Sequence, residues 1–398
     1  MSIASLKLSA PLIASLLCAA VTGGAAGADE VPFRVKRGLF ALSEPVALGL
    51  APVPGAETVT VFRGGDDGDK FSHAVCLCPF NGWLHAIWQS CPKDEDTLDS
   101  RVMWSRSRDG RAWAAPVEIG SAPGDGKHLR GPGGLWSNGR ELVAFFLKSD
   151  GWSPGTVKIT EARVTSDGEN WSPLREVTAL GTLGTPVPLP GGRMLASIQS
   201  HCAPGDPKLY GLPAWTDAPG GLSGWTLAAM PQPKAKHPHY GRVIEPAWFL
   251  RGDGRPVMVF RDTSRSGYSL ASLGSPDGSA WTEPVVSGLP DSTSLQCAGN
   301  LPDGTAYLIN NPTGTKERFP LAITLGADGR YFDRAYLVRR TPPPMRHAGY
   351  AKTSGFSYPS AVLWGDRLCV AYATNKEDVE ITFIPLRSLM LNQGKDRK

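Results

Sequence analysis

Apolar and polar positions alternate along this chain in short runs, and the runs come in pairs. "CLCPFNGWLHAIW", "GGLWSNGRELVAFF", "VPLPGGRMLASI", "AWFLRGDGRPVMVF", "NLPDGTAYLIN" and "AVLWGDRLCVAYA" each read as strand, glycine-containing turn, strand. One glycine from each turn gives Gly82, Gly139, Gly192, Gly254, Gly304 and Gly365, spaced by 57, 53, 62, 50 and 61 residues. Helical periodicity is not sustained except briefly near the C-terminus. Hairpins recurring at that interval fit the four-stranded blades of a propeller. The pattern predicts an all-β chain: a six-bladed β-propeller of four-stranded antiparallel blades. The strand-like stretch "AETVTVFRG" ahead of the first hairpin is expected to complete the last blade or to contribute to a seventh.

A polar turn ending in tryptophan recurs after a third strand: "SRDGRAW", "TSDGENW" and "SPDGSAW", with a degraded copy, "GADGRYF", from Gly326 to Phe332. The Ser or Thr and Asp side chains can bond the turn backbone, Gly accepts positive φ, and Trp can pack between blades. Its place between third and fourth strands puts it on the face opposite the loops that join strand 2 to 3 and blade to blade. The turn is expected to be structural.

Composition sharpens this picture. Gly 46, Pro 35 and Trp 12 suit tight turns and buried aromatics. The first 28 residues have a positively charged start at Lys7, an apolar run from Leu8 to Val21, and Ala26-Gly27-Ala28, so a signal peptide cleaved after Ala28 is expected. Residues 29–398 then form one secreted or periplasmic propeller domain. The run is too short to span a membrane, and no other run approaches it. The net charge of +4 is spread thinly, which gives no footprint for nucleic acid. Beyond Cys18, six cysteines (Cys76, Cys78, Cys91, Cys202, Cys297, Cys369) permit disulfides of undetermined connectivity. No zinc-type spacing occurs, and neither a metal nor another cofactor is expected.

A site over the propeller axis should draw on the start of strand 1 and the end of strand 2. Nine positions back from each turn glycine lie His73, Arg130, Leu183, Glu245 and Leu295, with Tyr358 at the equivalent place in the last blade. Seven positions forward lie Gln89, Phe146, Gln199, Arg261, Asn311 and Tyr372. As a set these positions make a polar pocket. Arg130, Arg261 and Arg318 could clamp a carboxylate through planar bidentate bonds. Glu245 could orient a phenol such as Tyr358, and the loop "CPKDEDTLDS" offers Asp96 or Asp94 as a proton donor.

The tryptophan-ending turns resemble the Asp-box of the sialidase superfamily and related propellers, whose usual form is one residue longer. "EPAW…GRPVMVFRD" is similar to the sialidase segment bearing the nucleophile-assisting Glu and a carboxylate-binding Arg, which the match assigns to Glu245 and Arg261. "RFPLAI" resembles the segment with another Arg of the triad, here Arg318. "GFSYPSAVLWGDRLCVAY" resembles the segment carrying the nucleophile, here Tyr358. The acid/base Asp then falls near Asp96. One departure stands out: the stretch "FSHAVCLC" has His73 where the sialidase pattern has its first Arg.

The resemblance implies an exo-acting glycoside hydrolase of sialidase type, working on an acidic sugar, sialic-acid-like or uronic, with retention through a tyrosine nucleophile. Tyr358, Glu245, Asp96 and His73 are the expected catalytic residues, and Arg130, Arg261, Arg318 and Gln199 the substrate-binding ones. Two alternatives keep the same partner, a glycan or acidic sugar. One is a propeller lyase or hydrolase of uronate-containing polysaccharide that uses His73 as base or acid. The other is a glycan-binding propeller without turnover.

Overall fold

The computed structural model describes residues 30–65, 68–151, 158–182, 184–199, 211–231, 243–264 and 266–391. The expected 28-residue leader, Leu183 and Cys202 lie outside these residues, as does the side chain of Gln199. Strands arrange into six antiparallel four-stranded sheets, the blades of a β-propeller. Blade 1 runs through Phe71–Phe80, Trp83–Cys91, Arg101–Ser107 and Val117–Gly120. Blade 2 follows with Leu129–Ser137, Leu142–Ser149, Lys158–Thr165 and Arg175–Thr178, and blade 3 with Val187–Pro188, Met194–Gln199, Gly211–Thr216 and Thr226–Leu227. Blade 4 comprises Val243–Leu250, Pro256–Asp262, Tyr268–Leu273 and Val285–Pro290. Blade 5 comprises Cys297–Asn300, Ala306–Asn310, Leu321–Gly326 and Arg334–Arg339. Blade 6 contributes Phe356–Trp364, Arg367–Thr374 and Asp378–Pro385, and its outermost strand is Glu57–Phe62 from the other end of the chain. The stretch "AETVTVFRG" thus completes the last blade, and no seventh is present among the described residues.

The core is a ring of layers between blades. Trp88, Ala371 and Ile381 join blades 6 and 1, Ile87 and Phe146 join blades 1 and 2, and Phe249 and Leu308 join blades 4 and 5. Each apolar strand face packs on the next blade instead of on a second face of its own sheet. The first strands of blades 6 and 1, 1 and 2, 4 and 5, and 5 and 6 touch around the axis. Among the described residues no helix is long and apolar enough to cross a membrane. The five described cysteines are free thiols, buried or half-buried.

The tryptophan-ending turns lie between third and fourth strands, as their position in the repeat predicts. In the first, Asp109 Oδ1 accepts the N–H groups of Arg111 and Ala112 at 2.8 Å, and Gly110 donates to Ser107 Oγ. Asp167 repeats this with Glu169 and Asn170. Each turn also wedges its glycine against the preceding blade. A Cβ on Gly110 (φ 79°) would lie 2.6 Å from Phe383 of blade 6, and one on Gly278 (φ 68°) 2.6 Å from Leu195 of blade 3. The degraded copy does the same, with Gly329 against Phe249 of blade 4 and Phe332 fully buried in place of Trp. Blade 3 keeps the tryptophan clamp inside a longer turn that the spacing did not reveal. There Trp225 Nε1 donates to the Gly221 carbonyl at 2.7 Å, as Trp281 does to Gly278 at 2.9 Å.

Candidate active site

On the opposite face, the first strands of blades 1, 4 and 6 share one irregularity. The ladder pairs His73 with Gln89 and resumes at Cys76–Ile87; it pairs Ile244 with Arg261 and resumes at Ala247–Val259. In blade 6 it pairs Ser357 with Ala373 and resumes at Ser360–Ala371. In each blade two residues therefore face one, and the first has left-handed φ: Ala74 at 50°, Glu245 at 51°, Tyr358 at 52°. A non-glycine residue in that region costs about 1–2 kcal/mol, and such bulges re-aim a side chain. Pro246 and Pro359 follow directly; having no N–H, they leave no donor unpaired at the bulge.

The shared bulge corrects one detail of the sequence alignment. Ala74, not His73, holds the position of Glu245 and Tyr358. The nine-residue count misplaces blade 1 by one because the hairpin turns differ in length. Blade 1 turns over two residues between Phe80 and Trp83, and blade 4 over five between Leu250 and Pro256.

The two bulged side chains meet across the molecule. Tyr358 donates its phenol O–H to Glu245 Oε1 at 2.5 Å. Arg261 Nη1 reaches both Glu245 oxygens, at 3.1 and 2.9 Å, and the Tyr358 oxygen at 3.0 Å. Arg318, from the loop joining strands 2 and 3 of blade 5, donates to Ser357 Oγ at 3.0 Å. Its guanidinium carbon lies 5.6 Å from the centre of the Tyr358 ring. His73 packs its ring on Tyr358 with centroids 4.1 Å apart. Four blades thus contribute to one cluster.

Two residues that the sequence reading did not assign complete it. Glu95 and Lys376 pair through Oε2 and Nζ, both held in strand 2-to-3 loops, of blades 1 and 6. Glu95 Oε1 lies 3.4 Å from His73 Nε2 without the alignment of a hydrogen bond, and neither His73 ring nitrogen has a hydrogen-bond partner among the described residues. Glu95 sits inside the acidic loop already singled out by sequence. Lys376, at left-handed φ 52° in the turn after the second strand of blade 6, carried no such signal.

Electrostatics follow the packing. Burial, then the charge of Glu245, pushes the Tyr358 phenol well above its usual value, so it rests protonated; Arg261 and Arg318 pull the other way. Burial opposes the charge on Arg261, but Glu245 and Tyr358 outweigh it and hold the guanidinium above its ordinary value. His73 is lowered well below its usual value by burial, then by Lys376, Arg318 and Arg261, so its imidazole is neutral. The resting arrangement is a protonated phenol facing a carboxylate, with three cations nearby.

Among the other predicted residues, Asp96 stands beside this cluster, acting electrostatically on Lys376, whereas Arg130 and Asp94 take partners outside it. Arg130 is bound to Glu161 through Nε at 2.9 Å and Nη2 at 2.8 Å, and it also donates to the Ser121 carbonyl. Asp96, at φ 57°, accepts from Gln89 Nε2 at 3.4 Å. Asp94 accepts the backbone N–H groups of Tyr350 and Ala351, the latter at 3.1 Å. Gln199 ends the second strand of blade 3, and its side chain lies outside the described residues.

Solved structures share this architecture. A sialidase superposes with a TM-score of 0.64 at 18% identity, covering 89% of this chain and 35% of its own. The chain therefore spans about a third of that sialidase's length. The sialidase of Trypanosoma rangeli in complex with sialic acid gives a TM-score of 0.60 at 13% identity, with 85% of this chain and 60% of its own covered. The intramolecular trans-sialidase from Ruminococcus gnavus, bound to oseltamivir carboxylate, gives 0.57 at 13% identity over 87% and 99%. Identities this low show the fold alone. No curated protein matches the chain. The family model for the BNR repeat-like domain matches residues 82–370. With that match covering most of a six-bladed, Asp-box-bearing sheet ring, the chain belongs to the BNR repeat-like domain family and is a sialidase-like β-propeller.

Proposed function

We propose that this propeller is an exo-acting glycoside hydrolase of sialidase type, acting on a sugar that bears a carboxylate. The observation that carries this reading is the Tyr358–Glu245 pair at 2.5 Å, bridged by Arg261 and overlaid by Arg318. A phenol held protonated by burial becomes a nucleophile only when a base takes its proton as it attacks, and Glu245 is within reach to do so. Arg261 contacts the oxygen on which charge would develop, which favours the attacking state over the resting one. Arg318 supplies a second guanidinium for the substrate carboxylate. Attack of the Tyr358 oxygen on the anomeric carbon breaks the glycosidic bond, and Asp96 in the acidic loop protonates the departing oxygen. Water then releases the sugar from the tyrosine, with Asp96 as base, so configuration is retained.

The test is release of a chromogenic alcohol from aryl glycosides of sialic and uronic acids. Turnover by the wild type that disappears in Tyr358→Phe while ligand binding persists is the expected result. Loss of binding together with turnover, or full activity in Tyr358→Phe, would sink the reading.

The neutral, unbonded imidazole of His73 favours a second reading, elimination at a uronate with His73 as base. Its product carries a carbon–carbon double bond conjugated to the carboxylate. Ultraviolet absorption of that product, surviving Tyr358→Phe and lost in His73→Ala, would favour it over hydrolysis.

A further inference from the structure

We propose that the cavity of about 290 Å³ between blades 4 and 5 is a subsite for an uncharged pyranose unit, next to the unit held at Tyr358. This rests on the reading of the main site as a glycan site. Asp262, Tyr268, Asp291, Thr293, Thr315 and Lys316 line the cavity. Asp291 is 2% exposed, and its Oδ1 accepts from Asn310 Nδ2 at 3.2 Å, while Oδ2 has no partner among the described residues. A buried carboxyl oxygen left unbonded beside a cavity is costly unless an occupant meets it.

The chemistry of the walls selects the occupant. Burial pushes the Asp291 carboxyl up to about 7, with Asn310 and the backbone N–H groups of Ser292 and Thr293 pulling the other way. A carboxyl that holds its proton part of the time near neutral pH both donates and accepts, which matches a sugar hydroxyl better than a cation. Asp262 offers little to a cation, because Ser264 and Ser266 already occupy both of its oxygens. An anion would meet that same carboxylate. Tyr268, 38% exposed, contributes to the cavity wall, to which Thr315 and Lys316 add donors. Thr293 stands at φ 53°, a conformation rare for a β-branched residue. The volume is at the small end of ligand pockets and suits a single ring.

The cavity adjoins the main cluster through the chain itself. Asp262 follows Arg261 directly, and Arg261 acts electrostatically on Asp291. Asn310 holds Asp291, while its neighbour Asn311 donates to the Arg318 carbonyl at 2.8 Å. The backbone that positions both arginines therefore also forms the cavity wall, as expected for adjacent units of one glycan.

The test is titration of the full chain with methyl pyranosides of neutral hexoses and N-acetylhexosamines, followed by ligand-observed NMR. Saturable binding of at least one is expected, unchanged in Tyr358→Phe and Arg318→Ala. It should weaken by about tenfold in Tyr268→Ala, the scale of one good contact. Asp291→Asn, which keeps a donor and an acceptor, should bind within about threefold of the wild type, and Asp291→Leu should not bind. No saturable binding by any neutral pyranoside, or binding indifferent to Tyr268→Ala and Asp291→Leu, would overturn the proposal. The readout needs no turnover, so failure of the hydrolase reading leaves it intact. Failure of the subsite, in turn, leaves aryl-glycoside hydrolysis unaffected.

Discussion

The two faces of the propeller use the same side chain, a carboxylate, in opposite ways. On the Asp-box face, Asp109 and Asp167 are solvent-exposed and satisfied by N–H groups within their own turns. Their partners are two or three residues away, so the motif is complete in seven letters. On the site face, Glu245 finds its partner 113 residues away in Tyr358, and Glu95 finds its partner 281 residues away in Lys376. One face fixes the frame by local bonds, and the other assembles chemistry from distant blades. A carboxylate's role is therefore set by how far along the chain its donors lie.

Three sets of substitutions can break or sharpen that contrast. The largest effect is expected from Tyr358→Phe, which removes the proposed attacking oxygen and should lower kcat by at least roughly a thousandfold. Its thermal melt should remain near that of the wild type. Glu245→Gln removes the proposed base but keeps the shape, and a loss of about 10²–10⁴-fold in kcat/KM is expected in steady-state assays. A melt that collapses in either variant would show the cluster to be a structural element like the opposite face. Gly110→Ala reverses the pattern. A Cβ at positive φ against Phe383 should cost roughly 2–4 kcal/mol of stability by chemical denaturation while leaving kcat unchanged.

The smallest effect separates the faces by pH. The N–H groups of Ala112 and Arg111 hold Asp109 below its usual value, and the Asn170 side chain, then backbone N–H groups, do the same for Asp167. Groups held low add stability that is present above the usual carboxylate range and is lost on acidification. Asp291 has the opposite sign. Its stabilising share is present below the usual range and is lost as pH rises toward about 7. Calorimetric melts should show Asp167→Asn destabilised at neutral pH and converging with the wild type in acid. Asp291→Asn should instead gain on the wild type as pH rises from about 4 toward 7. Parallel pH profiles for the two variants would contradict the distinction.

This contrast also explains what was legible in the sequence. The six hairpins and the Asp-box turns are local patterns, and the structure reproduces them. Glu245, Arg261 and Tyr358 were reachable because each sits at a fixed place relative to a hairpin, and Arg318 because "RFPLAI" resembles a sialidase segment in a loop on the expected site face. Lys376 was not, since a lysine in a short turn looks like any solvated charge until the fold buries it at 3% exposure. Asp291 was hidden in the same way, because its burial arises from two blades packing together. The one-residue offset of His73 had a geometric cause: counting back from the turn glycine carries the difference in hairpin-turn length into the strand. Arg130 fitted the polar pattern, yet Glu161, on the third strand of its own blade, occupies its guanidinium.

The strand Glu57–Phe62 that seals blade 6 carries a consequence for biogenesis. Synthesis delivers this strand early and its partner, Asp378–Pro385, near the end, so the early segment waits through five blades for its ladder. Tyr358 and Lys376 belong to that same late blade. Tyr358, the proposed nucleophile, and the buried lysine therefore reach their final surroundings only when the two ends of the sheet ring meet. Enzymatic competence during refolding would then serve as a clock for ring closure, appearing after most secondary structure has formed.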